Sequence, residues 1–136
     1  MTECAEIRFL NPPALGAPPG YSNVAEVRSG RIVYIAGQIA TDRDGNLVGP
    51  GDMEAQAAQA FRNLAIALDA VGCTAAELVK LTVFVRDMSK LADYRKARDR
   101  FLGSVTPVAA PAITLVEVSR LYRDDALIEI EAVAAA

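Results

Sequence analysis

The sequence predicts an α+β fold in which a mixed β-sheet carries two α-helices on one face. Two segments repeat apolar residues at three- and four-residue spacing, as amphipathic helices do. Short apolar or alternating segments precede, separate and follow them, which gives the order β-β-α-β-α-β-β. The chain has 136 residues and neither an internal repeat nor a linker, so it fits a single domain over residues 1–136.

The N-terminal part is predicted to consist of strands and turns. Arg8–Asn11 fits a short additional strand, and the Pro- and Gly-rich segment Pro12–Gly20 is typical of a loop. Two apolar segments, Ala25–Arg28 and Arg31–Ile35, are joined at Ser29–Gly30. This pattern predicts a β-hairpin.

The first helix follows a second turn at Asp42–Asn46, which is centred on Asp44–Gly45. Asp52 is expected to cap the helix N-terminus, because its side chain can accept a hydrogen bond from a free backbone N–H. Gly72 is expected to end the helix. The helical spacing predicts a buried face formed by Ala57, Phe61, Leu64, Leu68 and Val71.

The middle of the chain predicts a central strand and the second helix. Leu81–Val85 is apolar on both faces, which is typical of a strand in the interior of a sheet. Ser89 is expected to cap a helix over Leu91–Leu102. Its buried stripe is predicted to contain Leu91, Tyr94, Phe101 and Leu102.

Two further strands are predicted at Ala112–Val118 and Ala126–Val133. In the last strand isoleucines alternate with carboxylates, in the order Ile128, Glu129, Ile130 and Glu131. Successive side chains of a strand point to opposite faces. One face therefore meets the core, and the other places two carboxylates in water or against a partner.

Composition excludes several classes of function. The net charge of −3 argues against a nucleic-acid partner, because such domains are strongly basic. There is no histidine, so catalytic triads and the common metal sites are excluded, and the two cysteines are expected to be free thiols. No cofactor signature is present. The absence of an apolar segment of about 20 residues or of a secretory signal predicts a cytoplasmic protein without a membrane partner.

Four segments resemble the RidA (YjgF/YER057c/UK114) family, from about Tyr21 to Ala134. They read YSNVAEVRSGRIVYIAGQI, GDMEAQAAQAFRNLAIALDAVG, LVKLTVFVRDMSKLADYRKARDRF and PAITLVEVSRLYRDDALIEIEAVA. The resemblance implies a chorismate mutase-like fold and a homotrimer with clefts between its subunits. It also implies hydrolysis of reactive imines or enamines, with a small-molecule metabolite as the partner and no cofactor.

The resemblance also implies a set of site residues. Glu129 in IEIEA matches the catalytic glutamate that handles water, and Tyr21 in GYSN matches the tyrosine that closes the pocket. Gly37 and Gln38 match the family turn that adds backbone hydrogen bonds. Residues that differ from the family pattern occupy three further pocket positions, with Ile113 in place of an arginine, Thr114 in place of a serine and Leu115 in place of a cysteine.

The replacement at Ile113 removes the cation that would bind a substrate carboxylate. A charged hydrogen bond contributes about 1.5–3 kcal/mol, so a simple imino acid should bind at least about tenfold more weakly. By helical spacing Arg98 falls within the buried stripe of the second helix and Arg95 at its edge. We therefore expect Arg95 or Arg98 to supply the missing cation. Pairing of these arginines with Glu117, Glu129 or Glu131 is the alternative.

Two functions from different classes remain open at this point. The first is a RidA-like hydrolase that deaminates an imine, an enamine or a related metabolite in an intersubunit cleft, using Glu129 and water. The second is a non-catalytic trimer that binds a small molecule and has lost deaminase activity. Loss of the arginine favours the second function, whereas retention of Tyr21 and Glu129 favours the first.

Overall fold

A computed structural model describes residues 4–136 of the chain. It contains six strands and two α-helices: β1 (Glu6–Leu10), β2 (Val24–Ser29), β3 (Ile32–Gln38), α1 (Met53–Asp69), β4 (Leu78–Val85), α2 (Leu91–Leu102), β5 (Ala112–Glu117) and β6 (Ile128–Ala135). The predicted order of elements is confirmed, including the short additional strand at the N-terminus. Neither described helix combines the length and apolar character that crossing a bilayer demands.

The main sheet has four strands in the order β3-β6-β4-β5. Strand β4 runs parallel to β5 and antiparallel to β6, so the sheet is mixed, as predicted. Strand β4 has a neighbour on each side, which confirms its central position. Strands β1 and β2 form a separate antiparallel ribbon.

Both helices pack on the same face of the main sheet. In α1 Ala57, Phe61, Leu64 and Leu68 are buried as predicted. Val71, the fifth residue of the predicted face, lies beyond the end of the helix and is only partly buried. Phe61 stacks against Phe101 of α2 at 4.9 Å between ring centroids. Burial of each large apolar side chain contributes about 1.5–3 kcal/mol, so this layer supplies much of the stability of the fold.

Local chemistry sets the ends of α1 as the sequence predicts. The Ala55 N–H donates a 3.0 Å hydrogen bond to Asp52 Oδ1, which satisfies one of the free donors of the first turn. The helix ends at Asp69, and Gly72 adopts φ of 75°. That conformation costs a glycine little and other residues more.

The predicted β-hairpin is wrong in its pairing, although both of its strands exist. Strand β2 pairs with β1, and β3 pairs with β6. Gly30, at φ of 121°, turns the chain from one sheet into the other. Arg31 exchanges backbone hydrogen bonds with Ala136 directly after this turn. Pairing with the distant C-terminal strand therefore replaces the local hairpin.

The predicted cap of the second helix is also wrong. Ser89 is not the capping residue, because Asp87 Oδ1 accepts hydrogen bonds from the Ser89 N–H at 2.9 Å and the Ser89 hydroxyl at 2.6 Å. Asp87 thus caps a single 3₁₀ turn, Met88–Lys90, which continues into α2. An ionised carboxylate such as that of Asp87 accepts a stronger hydrogen bond from a backbone N–H than a serine hydroxyl does.

The second face of the main sheet carries no described helix, and we call it the helix-free face. It presents Tyr34, Lys80, Thr82, Phe84, Glu129 and Glu131. The register supports this assignment, because Thr82 pairs with Glu131 and Phe84 pairs with Glu129. The buried residues of β6, Ile128 and Ile130, point instead to the core, as the alternating pattern predicts.

Candidate functional site

A cavity of about 470 Å³ lies between α2, β5 and the loop before β2. We call it the arginine cavity, because two arginines of α2 line it. Its lining consists of Pro19, Tyr21, Leu91, Tyr94, Arg95, Arg98, Ile113 and Leu115. Five of the residues that the sequence singles out therefore share one cavity: Tyr21, Arg95, Arg98, Ile113 and Leu115.

Ser22 fixes the loop that carries Tyr21. Its hydroxyl donates a 2.5 Å hydrogen bond to the Ala110 carbonyl, and its N–H donates a 3.0 Å bond to the Pro111 carbonyl. Ser22 also forms an isolated bridge with Ala112, the first residue of β5. These bonds hold the Tyr21 ring beside the start of the strand that carries Ile113.

Arg98 is the more shielded of the two cavity arginines. Its side chain is 12% exposed, and its Nε and Nη2 each lie 2.9 Å from Asp99 Oδ1. The guanidinium carbon lies 5.9 Å from the centroid of the Tyr94 ring, within the range of a cation–π interaction. A Cβ on Gly20 would lie 2.8 Å from Arg98 Nη2, so only glycine leaves the guanidinium this close to the loop.

The two arginines differ in their partners. Asp99, rather than the alternative partners Glu117, Glu129 or Glu131, pairs with Arg98. Glu117 instead accepts a 2.9 Å hydrogen bond from the Met88 N–H. Arg95 is exposed at the rim of the cavity, and it makes no hydrogen bond or ion pair to another residue in the range 4–136.

Tyr94 forms part of the cavity wall that sequence reasoning did not assign to the site. The residue is only 1% exposed, and its hydroxyl lacks a hydrogen-bond partner among the described residues. Burial raises the pKa of Tyr94 to about 12, although the nearby Arg98 charge acts in the opposite direction. The phenol therefore stays protonated at neutral pH and can donate a hydrogen bond.

Glu129 lies on the other face of the sheet. Ile113 of β5 pairs with Leu81, whose side chain is buried in the core, whereas Glu129 pairs with Phe84. Since Leu81 and Phe84 are separated by an odd number of positions in one strand, their side chains point to opposite faces. Within one chain, Glu129 therefore faces away from the arginine cavity.

Glu129 lies instead directly against the backbone of β3. A Cβ on Gly37 would lie 2.0 Å from Glu129 Oε1, so the carboxylate occupies the space that a larger residue would fill. Gln38 follows, and its side-chain amide donates a 2.9 Å hydrogen bond to the Ala36 carbonyl. These three residues form a second group, which we call the Glu129 cluster: Gly37, Gln38 and Glu129.

Thr114 belongs to neither group. It pairs with Thr82 on the helix-free face, and its hydroxyl accepts a 2.6 Å hydrogen bond from Lys80 Nζ. Sequence reasoning missed Pro19, Leu91 and Tyr94 as cavity residues. Positions 91, 94, 95 and 98 follow the i, i+3, i+4, i+7 spacing of one helix face, and that signal was sufficient to place Leu91 and Tyr94 beside the arginines.

Comparison with known proteins decides the family. The chain matches the family described as Endoribonuclease L-PSP over residues 12–136. It is similar to the crystal structure of YyfB from Yersinia pestis, of the conserved Rid protein family, at a TM-score of 0.80 and 34% identity over 96% of this chain and 98% of that one. The chain belongs to the Rid family.

Curated relatives of this Rid protein include named deaminases. A RutC family protein of Synechocystis is 39% identical over 119 residues, which cover 87% of this chain and 88% of the relative. The 2-iminobutanoate/2-iminopropanoate deaminase of Escherichia coli K12 is 35% identical over 111 residues, or 82% and 84% of the two chains. Imine deamination is therefore an activity of the family.

The arrangement defines what each group of this Rid protein can do. The arginine cavity offers two guanidiniums, two phenols and apolar walls, which suit a small carboxylate-bearing ligand. The Glu129 cluster offers a proton acceptor. Within residues 4–136, Cys, Asp and Glu side chains do not cluster in threes as a metal site requires.

Proposed function

We propose that this Rid protein hydrolyses a small imine or enamine that carries a carboxylate, in a cleft formed between copies of the chain. One copy contributes the arginine cavity, and a neighbouring copy contributes Glu129. The observation that carries the proposal is the division of the site residues between two faces of one sheet. A single chain cannot bring both groups to one ligand.

The helix-free face supports assembly. It exposes apolar side chains, with Tyr34 80% and Ile32 45% exposed. A cavity of about 540 Å³ lies on the same face, with Tyr34, Lys80, Thr82 and Glu131 in its lining. Large exposed apolar patches mark interfaces. Three copies that meet through these faces would form a closed ring and would cover the patch.

The proposed reaction is the addition of water to a C=N bond. Glu129 accepts a proton from water as the oxygen attacks the imine carbon, and it passes that proton to the imine nitrogen. The resulting carbinolamine then breaks its C–N bond. Glu129 takes the hydroxyl proton and passes it to nitrogen, so that ammonia leaves and a carbonyl compound remains. Arg98 binds the substrate carboxylate throughout. Ile113 and Leu115 exclude water from one wall, which strengthens the charged hydrogen bond.

A second candidate function is ligand binding without catalysis. Ile113 supports it, because the resemblance implies an arginine there. In that case the trimer and its cavities would bind a metabolite, and Glu129 would contribute little to the rate of any reaction. The two candidates differ in what they predict for Glu129, so one substitution separates them.

The experiment measures suppression of imine trapping. An amino-acid oxidase generates imino acids, semicarbazide traps them, and an active deaminase lowers the amount of trapped product. We expect Glu129→Gln to lower kcat/KM by about 10²–10⁴-fold, the usual contribution of a positioned acid–base group. Glu131→Gln is the matched control, since it removes a neighbouring carboxylate from the same face.

The cation is tested in the same assay. Arg98→Gln should lower kcat/KM by at least about tenfold, whereas Lys96→Gln on the exposed side of α2 should leave it unchanged. Absence of suppression by the unmodified protein across a broad amino-acid panel would favour the binding protein. A solution mass equal to one 14.4 kDa chain would contradict the shared cleft.

A further inference from the structure

The arginine cavity contains more positive charge than one carboxylate requires. Its described lining includes two arginines and no carboxylate. Arg95 and Arg98 are three residues apart on α2, a spacing that places side chains next to each other on a helix surface. Two like charges at this spacing repel each other, and an anion bound between them would relieve that repulsion.

The two guanidiniums are not equivalent. Arg98 is shielded and already contacts Asp99, whose own side chain is 65% exposed. Arg95 lies at the rim and makes no ion pair to a residue within the described part of the chain. A ligand with one carboxylate would satisfy one of these cations and leave the other in water.

Tyr94 adds a third polar group to the same wall. Its hydroxyl is buried and lacks a partner among residues 4–136, and an unpaired buried donor is unfavourable. Tyr94 lines the cavity together with Arg95 and Arg98, and the Arg98 guanidinium carbon lies 5.9 Å from the centroid of its ring. A ligand oxygen held between the arginines can satisfy it.

We infer that the arginine cavity recognises a dicarboxylate: Arg98 binds one carboxylate, Arg95 binds the second, and the Tyr94 hydroxyl donates to a ligand oxygen between them. The inference rests on the proposed function and names its substrate class. The substrates are imines or enamines of short diacids. The apolar residues Leu91, Ile113 and Leu115 pack against the carbon chain that joins the two carboxylates.

Binding is tested with stable diacids, so that the measurement does not depend on catalysis. Isothermal titration compares glutarate with butyrate and succinate with propionate, pairs that differ mainly in one carboxylate. We expect each diacid to bind at least about tenfold more tightly than its monoacid, because one charged hydrogen bond contributes that much. Equal affinity within both pairs, or no binding of any of the four acids, would overturn the inference.

Three variants locate the preference. Arg95→Gln should abolish the difference in affinity between glutarate and butyrate. Tyr94→Phe should lower the affinity for glutarate about threefold or more while preserving the packing of the core. Lys96→Gln removes one charge from the same helix outside the cavity and should change neither affinity. If Lys96→Gln weakens glutarate as much as Arg95→Gln does, the preference is a general charge effect and the inference fails.

Trapping assays separate this inference from the proposed function. Diacid binding without deamination of any imine would retain the dicarboxylate site and reject the enzyme. Deamination of monocarboxylic imines with no diacid preference would retain the enzyme and reject the dicarboxylate site. Circular dichroism of each variant establishes that it is folded.

Discussion

Gly37→Ala is expected to displace the Glu129 carboxylate without a change of charge. The added Cβ would lie 2.0 Å from Glu129 Oε1 and 2.8 Å from its Cδ. Heavy atoms do not approach this closely, so one group must move. Glu129 is the group that moves, because a carboxylate at the end of a flexible side chain rotates more easily than the backbone of β3 does.

The effect on stability should be small. Gly37 does not have a positive φ, so alanine is compatible with its backbone and lowers the conformational entropy of the unfolded chain. That gain of about 0.4–1 kcal/mol offsets part of the cost of moving Glu129. We expect a net change within about 1 kcal/mol, which corresponds to a shift of about 4 °C in Tm for a domain of this size.

The effect on activity should be large. A displaced carboxylate no longer holds water at the imine carbon, so kcat/KM should fall by about tenfold to a thousandfold, toward the value for Glu129→Gln. The imine-trapping assay measures the rate, and calorimetry measures Tm. Light scattering checks that the oligomeric state is unchanged.

A double-mutant cycle provides the control. In a Glu129→Ala background the atoms that collide with the new Cβ are gone, so Gly37→Ala should have no further effect on kcat/KM. Two results would refute the reasoning. One is full activity in Gly37→Ala. The other is a further loss of kcat/KM when Gly37→Ala is added to Glu129→Ala. Either result would show that Gly37→Ala does not act through the Glu129 carboxylate.

Three further predictions concern buried polar groups. Gln56→Leu should lower the free energy of unfolding in urea by about 3 kcal/mol or more, because the buried Gln56 amide forms hydrogen bonds with the backbone of Gly49, Asp125 and Leu127, and each group left unpaired costs about 1–3 kcal/mol. Gln38→Leu is the control, since the Gln38 side chain bonds a carbonyl only two residues away. Ser22→Ala should lower the free energy of unfolding by about 1 kcal/mol and raise KM with a smaller effect on kcat, because the loop that carries Tyr21 loses its hydrogen bond to the Ala110 carbonyl. No change in KM would contradict this positioning role. Tyr94→Phe should change how the free energy of unfolding depends on pH between 10 and about 12. The raised pKa keeps the Tyr94 phenol protonated in the folded state while it ionises in the unfolded state, so the unmodified protein loses stability as pH rises through this range and the variant should lose less. Parallel curves for the two proteins would exclude the effect.

Much of the fold follows from local patterns. The spacing of Ala57, Phe61, Leu64 and Leu68 fixes which face of α1 is buried, and the alternation in β6 fixes which side of that strand meets the core. The error in strand pairing arose where long-range pairing competed with local signals. The turn at Gly30 is typical of a hairpin, yet hydrogen bonds between Arg31 and the C-terminal residue direct β3 to another partner.

The sequence by itself determined which residue types are available for chemistry: one family glutamate, one loop tyrosine, an isoleucine in place of a cation, and two arginines on one side of a helix. Residue order and helical spacing are sufficient for that list. Only the tertiary structure decided how these residues are grouped. Strand register places Ile113 on the helix side of the sheet and Glu129 on the other. Side-chain direction alternates along each strand, but which face is covered depends on contacts between residues far apart in the chain.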